Sequence, residues 1–182
     1  MNITSIHTLN ETQRKQAAQM LHDAFPHAWS TVDDATQEID EIMQNCDDGE
    51  PEILAAMHND EVIGWAGTIP TYDGHVWELH PLVVRRDWQG KGVGTALVQA
   101  IEELARTRGG LTLWAGSDDE TSATNLANTN LYDNLPQHLQ AFKPRHHPAA
   151  FYQKLGFAIE GVMPDANGPG KPDIFMAKSL HK

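Results

Sequence analysis

Residues 83–95 read Val83-Val84-Arg85-Arg86-Asp87-Trp88-Gln89-Gly90-Lys91-Gly92-Val93-Gly94-Thr95. An apolar strand pattern precedes this stretch and a helical pattern follows it, so the glycines lie where a strand turns into a helix. Without Cβ atoms the chain can turn tightly and bring backbone N–H groups close to a ligand. The unsatisfied N–H groups and the dipole of the helix start favour an anion. The stretch therefore predicts a phosphate-binding turn.

The glycine spacing excludes two nucleotide-binding motifs. Gly90, Gly92 and Gly94 fit neither GxGxxG nor GxxxxGK[ST]. An alternative interpretation is a glycine-rich helix entry that only reverses the chain. Three cations lie near the turn, and their presence favours a phosphate site over a turn that only reverses the chain. They are Arg85, Arg86 and Lys91.

The strand before this turn carries the candidate chemistry. Its period-two alternation puts Glu78 and His80 on one face and Trp77 and Leu79 on the other. A carboxylate or imidazole can take the proton that a protonated amine must lose before it attacks. Glu78 is the first candidate for this base and His80 the second. The alternatives are a solvated Glu78 and a structural His80.

Pro81 interrupts the same strand. Because proline has no N–H to donate, a regular ladder cannot pass through it in the middle of a sheet. We expect a bulge near Pro81 and Leu82 that frees a backbone N–H. The Leu82 N–H is then a candidate donor to the carbonyl oxygen of a thioester under attack by an amine.

The rest of the chain predicts one mixed α/β domain over residues 1–182, with no repeat or linker. Helices are expected at residues 11–24, 32–45, 93–108 and 148–155, the second with a capping box of Ser30 and Asp33. Strands are expected at residues 3–6, 52–58, 62–69, 75–84, 111–115, 157–162 and 174–179. The polar residues 116–146 fit neither pattern.

Composition limits the class of protein. The net charge of −12 makes nucleic acid a poor partner and suits a small cationic molecule, although the charge could serve solubility alone. Cys46 is the only cysteine, and the ten histidines show no metal-ligand spacing, so we expect no metal site. Nothing resembles a signal peptide or a membrane span, which favours a cytoplasmic protein.

Two motifs resemble the GNAT superfamily of N-acetyltransferases. Gln89-x-x-Gly92-x-Gly94 is similar to its Q/R-x-x-G-x-G/A pyrophosphate loop, and residues 151–157 are similar to its F-Y-x-K-x-G-F motif. The resemblance implies a central, mostly antiparallel twisted sheet, splayed at the cofactor strand and flanked by helices. It implies Tyr152 as the acid at the thiolate, the alternative being a half-buried aromatic. It also implies acetyl-CoA held by Leu82, Val83, Val84, Gln89, Gly90, Lys91, Gly92, Val93, Gly94 and Thr95.

Longer stretches resemble aminoglycoside 6′-N-acetyltransferases, particularly the enterococcal type. They include residues 74–84, 108–112, 116–119, 147–156 and 165–174. This resemblance implies direct acetyl transfer to the 6′-amine of an antibiotic, and hence resistance, in a homodimer. Candidate substrate-binding residues are Trp77, Glu78, Asp118, Asp119 and Asp173, with Phe25, Trp29 and Glu38 from the N-terminal helices. Each aspartate could instead cap a helix or a turn.

Two other functions fit parts of the sequence. Residues 1–70 match the antibiotic-modifying type only loosely, which leaves a peptide amine, a lysine or a small polyamine as an alternative acceptor. A non-enzymatic acyl-CoA sensor would lack a base or Tyr152, and both Glu78 and Tyr152 are present. The sequence therefore favours an enzyme.

Overall fold

The computed structural model describes residues 1–44 and 49–181. They form two compact units, one of residues 1–113 with the residues from 180 onward, and one of residues 114–179. The strands are β1 (Asn2–Ser5), β2 (Glu52–His58), β3 (Glu61–Thr71), β4 (Val76–Val84), β5 (Thr112–Asp118), β6 (Ala158–Met163) and β7 (Asp173–Ser179). The helices are α1 (Glu11–Ala24), α2 (Val32–Ile42), α3 (Val93–Thr107), α4 (Leu135–Gln140) and α5 (Ala149–Lys154).

The first unit is built on four antiparallel strands in the order β1-β2-β3-β4. Helices α1 and α2 bury Leu21 and Ile39 with Ile53 and Trp65 of the sheet, and Ile69 packs against this core. Helix α3 lies on the opposite face. There a Cβ at Gly64 would come within 3.0 Å of Val93. The two faces of β3 and β4 therefore look toward different helices.

Polar caps define the ends of α1 and α2. Asn10 and Gln13 form a capping box at α1, whose predicted bounds are confirmed. At α2 the capping box is Thr31 with Asp34, one residue after the predicted pair, because Thr31 Oγ1 accepts the Asp34 N–H at 3.0 Å. Helix α2 ends at Ile42, before the predicted end. The predicted end, Asn45, and Cys46 lie outside the described residues.

Glycines end α3 as predicted. Gly109 has a φ of +88°, which costs a residue without Cβ little. At Gly110 a Cβ would come within 2.6 Å of Trp77 Cδ1, so this end of α3 packs directly on the β4 side chain. No helix of the described residues is long and apolar enough to span a membrane.

In the second unit β7 lies between β5 and β6 and runs antiparallel to β6. Residues 116–146, which the sequence left unassigned, contain the end of β5, several turns and the short helix α4. Helix α5 begins after Pro148 and is followed by Gly156 with a φ of +89°. The expected α/β class, with mostly antiparallel strands and flanking helices, is confirmed.

Candidate active site

The predicted bulge is present in β4. Ala66 pairs with Leu82 and Thr68 pairs with Leu79, so Gly67 alone spans His80 and Pro81. The His80–Pro81 peptide bond is cis. A Cβ at Gly67 would collide with the His80 carbonyl oxygen, which is why this position of β3 needs glycine. Leu82 follows the bulge directly.

Before the bulge, β4 alternates as predicted. Trp77 and Leu79 are buried, whereas Glu78 and His80 are half-buried. Glu78 pairs with Ile69, whose side chain packs on the α1–α2 core. Glu78 and His80 therefore face α1 and α2, the side opposite α3.

His80 meets two residues from the N-terminal part of the chain. Its Nε2 lies 3.4 Å from Glu38 Oε1, and Glu38 Oε2 accepts a hydrogen bond from Trp29 Nε1 at 3.1 Å. The Trp29 and His80 rings lie 6.3 Å apart, and Phe25 contacts Trp29 edge-on. The structure thus brings His80 together with the three N-terminal residues that the sequence analysis named as substrate-binding candidates.

The Gln89–Thr95 turn has the expected backbone. Gly90 and Gly92 have φ values of +71° and +84°, and Gly92 is the N-cap of α3 without a side-chain cap. Gln89 Nε2 donates to the Val84 carbonyl at 3.1 Å and ties the turn to the end of β4. The first amides of an α-helix have no partner within the helix. The turn therefore offers backbone donors in a row, as an anion requires.

The cations beside the turn differ in their availability. Arg85 binds Glu61 at 2.9 Å and Asp87 at 2.8 Å. The hydrogen bonds that Arg85 donates to Glu61 and then to Asp87 raise the pKa of its guanidinium above the usual value. Lys91 lies over the Trp88 ring at 5.2 Å. Arg85 is thus committed to carboxylates rather than held ready for a phosphate.

In the second unit Tyr152 lies on α5 and is 8% exposed. Its ring contacts Phe151 and Phe157. Burial raises the pKa of the phenol to about 12. Tyr152 therefore keeps its proton at neutral pH and can act as a donor.

A second acidic region surrounds the end of β5. Asp173 Oδ1 accepts the Ser117 N–H at 2.9 Å, and Asp118 Oδ1 accepts from Asn167 Nδ2 at 2.5 Å. Burial, and then the charge of Asp118, raise the pKa of the Asp173 carboxyl. A cation bound here would relieve both effects.

His147 is a structural residue of the second unit. Ala149 N–H donates to Nδ1 at 3.2 Å, so Nε2 carries the proton and donates to the Asp118 carbonyl at 3.0 Å. Among the residues that the structure describes, no group of three His, Cys, Asp or Glu could hold a metal ion.

Two expected substrate residues occupy structural positions. Asp119 is fully buried, and its carboxylate accepts hydrogen bonds from Ala123 N–H, Thr124 N–H and Thr124 Oγ1. Trp77 is 2% exposed and donates to the Gly74 carbonyl at 2.9 Å. These side chains organise a loop and a hairpin.

Sequence reasoning missed Gly67 and Asn167. A glycine within a strand signals a bulge or a close approach, so Gly67 could have been found from its place opposite Pro81. Asn167 lies in a loop, and its hydrogen bond to Asp118 has no local sequence signal.

Comparison with known proteins gives consistent results. A model of the acetyltransferase (GNAT) family matches residues 14–135. An aminoglycoside 6′-N-acetyltransferase complexed with coenzyme A is 37% identical, with a TM-score of 0.92 over 100% of this chain and 98% of that one. The enzyme of this name from Enterococcus faecium is 37% identical, with a TM-score of 0.90 over the same shares. No curated protein matches the sequence.

More distant structures share the fold. A ribosomal-protein-alanine N-acetyltransferase from Brucella melitensis is 21% identical, with a TM-score of 0.66 over 98% of this chain and 99% of that one. The matches extend along the whole chain, and the family model includes the turn at Gln89–Thr95. The chain therefore belongs to the GNAT family of acetyltransferases and is an acetyl-CoA-dependent N-acetyltransferase.

Proposed function

We propose that this chain is an aminoglycoside 6′-N-acetyltransferase that transfers acetyl from acetyl-CoA to a primary amine of the antibiotic by direct attack. The observation that carries the proposal is the 37% identity over the full length to enzymes of that name. The charge of −12 supports a polycationic acceptor, because a net negative charge attracts cationic molecules.

The cofactor is assigned to the turn before α3. Backbone N–H groups of Gly90, Lys91, Gly92, Val93, Gly94 and Thr95 bind the pyrophosphate in this proposal. Gln89 shapes the turn instead, because its N–H donates to the Arg86 carbonyl and its side chain donates to the Val84 carbonyl. The end of β4, from Leu82 to Val84, binds the part of the cofactor nearer the thioester. Acetyl-CoA supplies the acetyl group as a thioester.

Glu78 and Leu82 are assigned to the attack itself. Glu78 takes a proton from the ammonium group, directly or through water, so that the amine can attack the carbonyl carbon. The Leu82 N–H binds the carbonyl oxygen as it gains negative charge. Half-burial of Glu78 and the bulge that precedes Leu82 support these roles. His80 is the alternative base.

Tyr152 is assigned to the departing sulfur. A simple thiol has a pKa of about 8.5, whereas that of Tyr152 is about 12. Complete proton transfer from the phenol to the thiolate would therefore be uphill by roughly three to four pKa units. We infer that Tyr152 stabilises the thiolate mainly by donating a hydrogen bond, and the proton released from the amine finally neutralises the sulfur.

The acceptor's other ammonium groups are assigned to Asp118 and Asp173. Both carboxylates lie at the end of β5, and a bound cation would lower the cost of ionising Asp173. Asp119 and Trp77 are given structural roles instead, because their side chains are buried and hydrogen-bonded within the unit.

The proposal extends to a cytoplasmic homodimer that confers resistance. Light scattering would test the dimer, and growth on antibiotic would test the resistance.

The test is acetyl transfer by the purified protein. Thiol release should be observed with acetyl-CoA and kanamycin, tobramycin or neomycin. Paromomycin is the matched control, because it has a hydroxyl group where neomycin has the 6′-amine, and it should react far more slowly. Turnover only with peptide amines or simple polyamines would overturn the antibiotic assignment. Equal rates with neomycin and paromomycin would overturn the 6′ position.

A further inference from the structure

The carboxylate of Glu38 is held by a hydrogen bond at one oxygen and contacts His80 with the other. Oε2 accepts the Trp29 indole N–H at 3.1 Å, and Oε1 lies 3.4 Å from His80 Nε2. The side chain of Glu38 is 22% exposed, and that of His80 is 41% exposed. Glu38 is thus mostly shielded from water yet still reachable from solvent.

This arrangement holds a negative charge in place without cancelling it. The indole N–H is a neutral donor, and the imidazole of His80 is a neutral neighbour unless it is protonated. A carboxylate has about four lone-pair sites, so these two contacts leave room for a further donor. A partly desolvated carboxylate gains more from a cation than one in open water. Glu38 is therefore preorganised for an ammonium group.

The surroundings of Glu38 also suit a cation. Helix α2 carries Asp33, Asp34, Glu38, Asp40 and Glu41 and no lysine or arginine. The Trp29 ring, with Phe25 against its edge, lies next to the carboxylate. Aromatic faces attract ammonium groups at short range. Glu38 thus lies on an acidic helix with an aromatic side chain beside it, and both favour a cation.

Glu38 also lies on the side of the sheet that Glu78 faces. Glu78 and His80 share one face of β4, and His80 contacts Glu38 directly. An acceptor with a single amine could use Glu78 alone. One with several ammonium groups could use Glu78 for the reacting group and Glu38 for another.

We propose that Glu38, backed by Trp29 and His80, binds a second ammonium group of the acceptor and so selects polyamines over monoamines. This inference rests on the proposed function, because it requires an acceptor whose reacting amine lies at Glu78. It adds a specificity-determining residue on α2 to that function.

The experiment compares two acceptors with the variant Glu38→Gln. Glutamine keeps the size of the side chain and an oxygen that can accept from Trp29, but it lacks the charge. Tobramycin carries several ammonium groups, whereas methyl 6-amino-6-deoxyglucoside carries only one. Glu38→Gln should raise the KM for tobramycin by roughly tenfold to a hundredfold, as for a lost hydrogen bond to a charged group. The kcat for tobramycin and the KM for the monoamine should stay near the wild-type values.

Two further variants sharpen the comparison. Glu41→Gln removes the same charge from an exposed position of α2 and should leave both KM values unchanged. Trp29→Phe keeps an aromatic ring but removes the N–H donor to Glu38, so it should raise the KM for tobramycin less than Glu38→Gln does. If the monoamine reacts too slowly, its inhibition constant against tobramycin replaces its KM.

The outcomes separate the inference from the proposed function. If the wild-type protein does not acetylate tobramycin, both fail. If it does, and Glu38→Gln changes both acceptors equally or neither, only the inference is overturned. A loss of kcat with an unchanged KM would also overturn it, because Glu38 would then act on the reacting amine.

Discussion

Gly67 lies against the carbonyl oxygen of His80, at the one place where β3 and β4 lose their regular pairing. Gly67→Ala would force a Cβ into that oxygen and push the bulge away from β3. We expect the free energy of unfolding to fall by about 2 kcal/mol, as for other overpacked sites, and kcat/KM to fall as well.

Urea denaturation and steady-state assays measure these two effects. Gly161→Ala is the control, because a Cβ there meets only Phe175 at 3.4 Å and should leave stability nearly unchanged. If Gly67→Ala were as stable as the wild type, the backbone of position 67 could not lie as close to the His80 carbonyl oxygen as the structure indicates.

Gly92→Ala should weaken cofactor binding beyond its effect on stability. Gly92 has a φ of +84° with nothing within 4 Å of a Cβ, so alanine adds backbone strain of about 1 kcal/mol but no collision. Relief of that strain would reorient the amides of the turn. We expect the Kd for coenzyme A, measured by calorimetry, to rise by about fivefold, or roughly 1 kcal/mol.

Gly109→Ala provides a control with equal strain. Gly109 has a φ of +88° and equally open surroundings, at the other end of α3. It should lose similar stability and bind coenzyme A normally. Weakened binding in both variants would mean that strain, not the turn, sets cofactor affinity.

Tyr152→Phe should lower kcat by roughly a hundredfold, in the range for loss of one hydrogen-bond donor to a developing negative charge. Coenzyme A affinity should stay near the wild-type value. Tyr132→Phe removes a hydroxyl from a ring that is 75% exposed and should have no effect.

The pH dependence offers a second check on Tyr152. Its pKa is raised from 10 to about 12, so the folded state favours the neutral phenol, and any stability from this group is lost only as pH rises toward 12. Ionisation of Tyr152 should therefore not appear in rate profiles below about pH 10. A basic limb near pH 8 that vanished in Tyr152→Phe would contradict the high pKa.

Glu78→Gln should lower kcat by roughly a hundredfold, because the amine would lose its base. Calorimetry should show unchanged binding of coenzyme A. If Glu78→Gln kept the wild-type kcat, Glu78 would not be the base and the role would pass to His80. His80→Ala would then be the inactive variant.

Asp173→Asn should stabilise the protein at neutral pH while weakening acceptor binding. The raised pKa of Asp173 means that this carboxyl supports the folded state below its unfolded value of 3.8, and the support is lost as pH rises through the folded pKa. Asparagine can still accept the Ser117 N–H but cannot ionise.

Unfolding in urea at several pH values measures this effect. The gain from Asp173→Asn should be present at pH 7 and should disappear below about pH 4. A variant less stable at pH 7 would show that the charge of Asp173 contributes favourably to the fold. The KM for tobramycin should rise in either case if Asp173 binds an ammonium group.

Local signals made much of the fold predictable. The bounds of α1 and β2 follow from periodicity and flanking polar residues. Pro81 indicated the bulge because a missing N–H interrupts a ladder wherever the strand lies. The capping box of α2 was misplaced by one residue, since Ser30 and Thr31 are both good caps and only the backbone decides between them.

The site was less predictable because burial is not local. Asp119 and Asp118 are neighbours in an identical acidic context, yet one is fully buried and the other exposed. Glu38 could be named from the N-terminal helices, but its contacts with Trp29 and His80 depend on how α2 packs on the sheet. Distances between chain segments decide such contacts, and one sequence does not contain them.

The turn before α3 binds through main-chain groups in the proposed function, whereas the acceptor meets side chains. Substitution of Lys91 or Thr95 removes no backbone N–H group. Binding of acetyl-CoA should therefore tolerate substitutions in the turn that spare its glycines. In that function each exchange at Glu38, Asp118 or Asp173 would change the acceptor's surroundings directly. New drug preferences should therefore arise by single mutations, without loss of the acetyl donor.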